Sequence, residues 1–167
     1  MFKKTQMAVL ALLVIVGGAQ AKTFRHATNG YSLTYPDAWT AKANLAGTDV
    51  AISVPGTPGA TSMITVVTQK LPQGMNLAAY TQATTESLPQ MLGNYKLDTN
   101  KTVKVGGVAG RKLVFTGTRG GNTMYGNIVL LVRGDVGYTL SYLGELPANA
   151  AAKETIDRVL TSFKLTK

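Results

Sequence analysis

The chain has 167 residues, with 17 Lys and Arg against 8 Asp and Glu, one His and no Cys. The missing Cys excludes disulfides, thiol catalysis and thiolate metal sites, and a lone His offers no His-rich metal cluster. The formal charge of +9 points to anionic partners: phospholipid head groups, cell-envelope polymers or acidic proteins.

The chain opens with a short basic segment, Met1-Phe2-Lys3-Lys4. An apolar run follows from Met7 to Val16, and after Gly17-Gly18 comes Ala19-Gln20-Ala21. Basic, apolar and small-x-small regions in that order are the three parts of a secretory signal. A membrane-spanning helix needs about 20 apolar residues, and the glycines interrupt this run well before that length. The expectation is a cleaved leader over 1–21 and a single domain over 22–167, periplasmic or extracellular. No Cys follows the cleavage site to carry a lipid, and no later segment approaches spanning length. Without Lys3 and Lys4, 15 basic residues face 8 acidic ones, a balance of +7. The remaining 146 residues suit one domain. A domain of about that size buries roughly 70% of its unfolded surface, so it holds a core without covalent staples.

Gly, Pro and Asn recur densely along the rest of the chain, which favours short strands. Thr23–His26 is a short extended segment. Asn29-Gly30 signals a turn, and Tyr31–Tyr35 alternates with period two until Pro36. Asp49–Val54 and Ser62–Gln69 are rich in β-branched residues and flank Pro55–Gly59, a loop suited to a hairpin. The period then changes. Leu77, Tyr80, Thr84, Leu88 and Met91 fall on one helical face, with Asn76 as N-cap and Gly93-Asn94 as the stop. Tyr95–Val105, Arg111–Arg119, Thr123–Arg133 and Val136–Gly144 describe an antiparallel meander punctuated by glycines. Within it, Ile128–Val132 is apolar on both faces, which marks a central strand covered on both sides. Ala152, Ile156, Val159, Leu160 and Phe163 form the stripe of a closing helix that starts near Pro147. One helix on each face of a mostly antiparallel sheet of about six strands gives an α/β/α sandwich.

The motif Gly30-Tyr31-Ser32-Leu33-Thr34-Tyr35-Pro36-Asp37-Ala38-Trp39, preceded by Phe24, resembles the opening of the PsbP/Mog1/DcrB-like families. So do Val108-Ala109-Gly110-Arg111-Lys112-Leu113, Gly137-Tyr138-Thr139-Leu140-Ser141-Tyr142 and the closing Leu160-Thr161-Ser162-Phe163. The similarity runs over nearly all of 22–167. It implies an α+β Mog1/PsbP-like fold and action by binding rather than catalysis. No relative's partner site matches this chain residue by residue. DcrB-like envelope members are often lipoproteins, and this chain departs from that pattern.

Two surfaces stand out as candidates. The first is basic: Lys96, Lys101, Lys104, Arg111, Lys112 and Arg119 face Asp98 alone in that stretch. It reads either as solvated strand faces or as a surface for a protein or anionic envelope component. Nucleic acid is excluded as a partner by expected export and by the lack of a binding motif. The second is aromatic: Tyr31, Tyr35 and Trp39 read either as core packed under a helix or as a groove for a small ligand or lipid. Tyr138 and Tyr142 carry the same two readings.

Nothing in the sequence composes a catalytic set. His26 has no serine elbow to activate. The acids are scattered rather than clustered for calcium. Gly106–Gly110 lacks the Gly-Lys-Ser/Thr ending of a phosphate loop and reads as a tight turn. No cofactor motif is present. The expectation is a non-enzymatic binding or assembly module, with a small-ligand or lipid carrier as the alternative.

Overall fold

The computed structural model describes residues 20–55, 62–147 and 149–166. The expected leader lies outside these residues except for Gln20 and Ala21, and so does the Gly56–Gly59 part of the hairpin loop. Ten strands and two helices are described, in the order β1 (Ala21–His26), β2 (Tyr31–Pro36), β3 (Thr40–Ala43), β4 (Val50–Ser53), β5 (Met63–Lys70), α1 (Leu77–Met91), β6 (Gly93–Val105), β7 (Val108–Arg119), β8 (Asn122–Arg133), β9 (Val136–Glu145), α2 (Ala150–Thr161) and β10 (Lys164–Leu165).

The strands form two sheets. Seven make one antiparallel sheet in the order β3-β4-β5-β9-β8-β7-β6, and three make a small sheet, β1-β2-β10. Two tight turns drive the meander. Gly106-Gly107 and Gly120-Gly121 all have positive φ, the conformation a two-residue hairpin turn requires and L side chains resist. They join β6 to β7 and β7 to β8 with no loop to spare.

The expected double burial of the Ile128–Val132 run is present. Val129 and Leu131 enter one core cluster, Ile128 and Leu130 the other. The first cluster fills the space between the large sheet, the small sheet and α2, with Tyr31, Leu33, Tyr138, Tyr142, Ile156, Leu160 and Phe163 at its centre. The second lies under α1, where Tyr80, Leu88 and Leu92 meet Leu113, Phe115 and Leu130. One helix therefore covers each face of the large sheet, as the periodicity predicts.

Three details differ from the sequence reading. Strands β3 and β10 were not expected, and together with β1 and β2 they raise the strand number above six. Both are too short and too exposed to show a period, and pairing to a neighbour makes them strands. Met91 was placed on the buried face of α1 but is 53% exposed. The helix ends there, and the extended Leu92 turns inward in its place.

The expected Asn76 cap is present, and α2 has an Asn cap that the sequence reading did not name. Asn76 accepts from the Ala79 amide at 3.0 Å, and Asn149 accepts from the Ala152 amide at 2.9 Å. Each satisfies one unpaired first-turn donor.

Close packing under α1 depends on small residues in the sheet. Phe115 pairs across the ladder with Gly126, and its ring covers the glycine. A Cβ at Gly126 would stand 2.0 Å from Phe115 Cζ. Gly126→Ala should therefore cost about 1–3 kcal/mol through overpacking, or several degrees in Tm by thermal denaturation. Combining it with Phe115→Leu should recover part of the loss. An unchanged Tm in the single variant would contradict this packing.

Candidate binding surfaces

All six residues of the predicted basic surface lie on β6 and β7, the hairpin at one end of the large sheet. Strand alternation and a bulge divide them. The ladder shifts register between Leu97 and Thr99, which re-phases β6. Lys101 stands opposite Lys112, and Thr102 opposite Arg111. Lys101 and Lys112 share the face of α2, while Thr102, Lys104 and Arg111 share the face of α1.

Their local partners differ as much as their positions. Lys112 has a side chain only 13% exposed and is bonded to Asp157 of α2. Asp157 Oδ1 also accepts from Asn127 Nδ2 at 3.3 Å. Lys112 thus acts as the counter-ion of a half-buried carboxylate, and the side-chain Oδ1 of Asn127 is buried without a hydrogen-bond partner. Lys96 pairs with Asp98 at 3.0 Å. Arg111 is spent along β6: Nε donates to Asn100 Oδ1 at 3.0 Å, Nη1 to Thr102 Oγ1 at 3.1 Å, and Nη2 to the Asn100 carbonyl at 3.3 Å. Lys101, Lys104 and Arg119 are exposed and have no ion-pair partner among the described residues.

The three aromatic residues do not share one opening. Tyr31 has no exposed surface. Its ring stacks on Phe163 at 5.1 Å and on His26 at 5.3 Å. Trp39 packs at the edge of the first core cluster. Tyr35 lines a hollow of about 260 Å³ between β2 and α2, with Thr34, Pro36, Val159 and Ser162. Tyr138 and Tyr142 are buried in the same cluster as Tyr31. A larger groove, about 760 Å³, runs between α1 and the β6–β7 hairpin. Leu77, Thr81, Thr85 and Glu86 line one wall, Asn100 and Arg111 the other.

A polar centre that the sequence did not disclose is Asp49. Its Oδ2 accepts from Thr68 Oγ1 at 2.5 Å, Asn29 Nδ2 at 2.9 Å and Tyr31 OH at 3.4 Å. The donors come from three segments 18 to 20 residues away, so no local motif records them. Burial above all, then the Asp49 charge and hydrogen bond, hold the Tyr31 hydroxyl protonated far above its ordinary range. His26 belongs to the same corner. Its Nδ1 accepts the Asn29 amide at 3.1 Å and closes the β1–β2 turn.

The family model for PsbP-like protein matches residues 17–165. The chain belongs to the PsbP-like family. No curated protein matches it significantly. Among solved structures, it is similar to the cyanobacterial PsbP, CyanoP, of Synechocystis sp. PCC 6803, with a TM-score of 0.66 at 17% identity, covering 90% of this chain and 95% of that one. It is also similar to LpqN of Mycobacterium tuberculosis, described as involved in cell envelope biogenesis, with a TM-score of 0.61 at 14% identity, covering 89% and 91%. A protein of Bacteroides thetaiotaomicron gives a TM-score of 0.58 at 16% identity, and there the match covers 87% of this chain and 48% of that one. At these identities the likeness is one of fold.

Two predictions test these local assignments in the PsbP-like chain. Tyr31, Tyr80, Tyr95, Tyr125 and Tyr138 all have hydroxyl pKa values raised by burial. Their folded pKa values exceed the unfolded ones, so the associated stability is complete below about pH 10 and is lost as pH rises beyond it. Stability measured by urea denaturation should be flat with respect to these groups to about pH 10, then fall. Tyr31→Phe should flatten the fall, and an equally steep loss in that variant would remove Tyr31 from the account. The second prediction concerns lysines. Lys112→Ala should lower Tm, because it leaves the half-buried Asp157 carboxylate without its counter-ion. Lys101→Ala should leave Tm within about 0.5 kcal/mol equivalent of the parent.

Proposed function

We propose that residues 1–21 are a cleaved export leader and that residues 22–167 form a non-enzymatic binding or assembly module of the cell envelope. Its partner in this reading is a protein or an anionic envelope component. One observation carries the proposal: on a PsbP-like fold, Lys101, Lys104 and Arg119 are exposed without ion-pair partners on a single hairpin. Exposed and unpaired cations attract anionic surfaces over about one Debye length, near 8 Å in physiological salt. The fold likeness to LpqN, described as involved in envelope biogenesis, supports the compartment. The basic, apolar and small-residue order of the first 21 residues supports export.

The polar groups that a catalytic reading would need have structural partners here. His26 holds a turn, and Asp49 joins two sheets. Among the described residues, no three His, Asp or Glu gather as metal ligands do.

The carrier reading has one observation in its favour, the hollow beside Tyr35. Its volume of about 260 Å³ lies just below the roughly 300–1,000 Å³ of ordinary ligand sites.

Native mass spectrometry of the protein from its own periplasm or culture medium separates these readings. The expected spectrum is an unadorned chain beginning at Lys22. A chain retaining Met1–Ala21 would overturn the leader assignment, and a constant small-molecule adduct would favour the carrier. Cross-linking in intact cells should recover an envelope component, and a Lys101→Glu, Lys104→Glu, Arg119→Glu variant should recover several-fold less of it. Equal recovery would dismiss the basic hairpin as the binding surface.

A further inference from the structure

Strand β6 is the last strand of the large sheet and has one neighbour, β7. It is 13 residues long, whereas β3 at the opposite edge has four. Long edges with unpaired main-chain groups invite other strands, and proteins usually close them with bulges, lysines or prolines. In β6 the bulge near Leu97 and Thr99 closes the first half. From Asn100 to Val105 the ladder to β7 is regular, and Asn100, Lys101, Thr102 and Lys104 are exposed.

The Gly106-Gly107 turn fixes which groups point outward. Val105 and Val108 flank a two-residue turn, which makes them a hydrogen-bonded pair. In an antiparallel ladder the hydrogen-bonded pairs then alternate. Val103 and Lys101 bond to β7, while Lys104, Thr102 and Asn100 turn their N–H and C=O groups away from it. Arg111 corroborates this phase, because its guanidinium reaches around the strand to the Asn100 carbonyl. A main-chain oxygen facing β7 would not be accessible to it.

We infer that this edge accepts an extended acidic segment of a partner protein as an added strand, in a mode where main-chain bonds give affinity and alternate side chains give specificity. The inference rests on the binding-module reading above and gives that module a site. Charge decides the occupant. A second copy of β6 would bring Lys101 and Lys104 against further lysines. Lys101 already faces Lys112, whose charge is matched by Asp157 alone. A carboxylate on the incoming strand beside Lys101 supplies the missing counter-charge, since directly opposed side chains on neighbouring strands interact. The incoming side chains that point to the other face meet the groove of about 760 Å³ between α1 and the hairpin, where Leu77, Thr81 and Thr85 offer a mixed apolar and hydroxyl wall.

The test uses the full chain as purified from its host and two capped nine-residue peptides, one alternating Glu and Thr, the other alternating Lys and Thr. Residue-resolved amide hydrogen exchange is read at Thr102 and Lys104. Excess acidic peptide should slow both amides at least tenfold, and the basic peptide should not. Thr102→Pro removes one outward donor at a position where an edge strand tolerates proline, and it should abolish the protection. Lys101→Glu, which keeps every main-chain group, should shift the preference to the basic peptide and serves if the proline variant fails to fold. Equal protection by both peptides, no protection by the acidic one, or an unchanged preference in Lys101→Glu would overturn the inference. Cross-linking in cells separates it from the broader reading. An envelope component captured equally by the parent and by Lys101→Glu would refute the edge site and leave the binding module standing. Capture of nothing by either would refute both.

Discussion

A single carboxylate oxygen joins the two sheets. Asp49 Oδ2 takes hydrogen bonds from Asn29 in the β1–β2 turn, from Tyr31 on β2 and from Thr68 on β5. Its own backbone is fixed as well, with the amide donating to Val66 and the carbonyl accepting from Asn44. Apolar packing between the sheets is non-directional and tolerates sliding. A charged acceptor shared by three segments does not, because hydrogen bonds to a charge are stronger than neutral ones and demand geometry. Tyr31, Phe163 and Tyr138 then pack in one arrangement.

Much of this fold was legible because its periods are long and clean. The Ile128–Val132 run specifies a strand buried on both faces. Asn76 with Leu77, Tyr80 and Leu88, and Ile156 with Val159 and Leu160, specify helices that have one apolar side each. The residues that resisted reading share a physical feature: their state is decided by a neighbour distant in sequence. Strands β3 and β10 exist by pairing. Asp49 finds its donors across the sheet boundary. The basic residues were visible as a group, but their separate settings were not, because Lys112 meets Asp157 on a distant helix and Lys96 lies before the register shift near Leu97. Lys112 and Lys101 look alike in sequence and differ completely in setting, one beside Asp157 under α2 and the other in solvent.

The family likeness fits this division. CyanoP and LpqN share the fold at 17% and 14% identity. Such divergence keeps the fold while most side chains differ. A shared fold sets where a hairpin edge or a helix groove lies, and each chain's own side chains set what binds there.

The small sheet has a consequence for how this chain is made. Its middle strand lies near the start of the chain and its third strand, β10, near the end. Ser162 Oγ accepts the Thr34 amide at 2.9 Å across 128 residues, and the Thr166 amide donates to the Gly30 carbonyl at 2.8 Å. As residues appear in order during synthesis, β1 and β2 precede β10 by the whole of the meander and α2, and their sheet waits for it. The meander can close locally while its chain is still growing, but the corner around Tyr31 has no Phe163 to stack on until α2 has followed the meander. Strands β2 and β10 become structured together, so removing either one loosens the other.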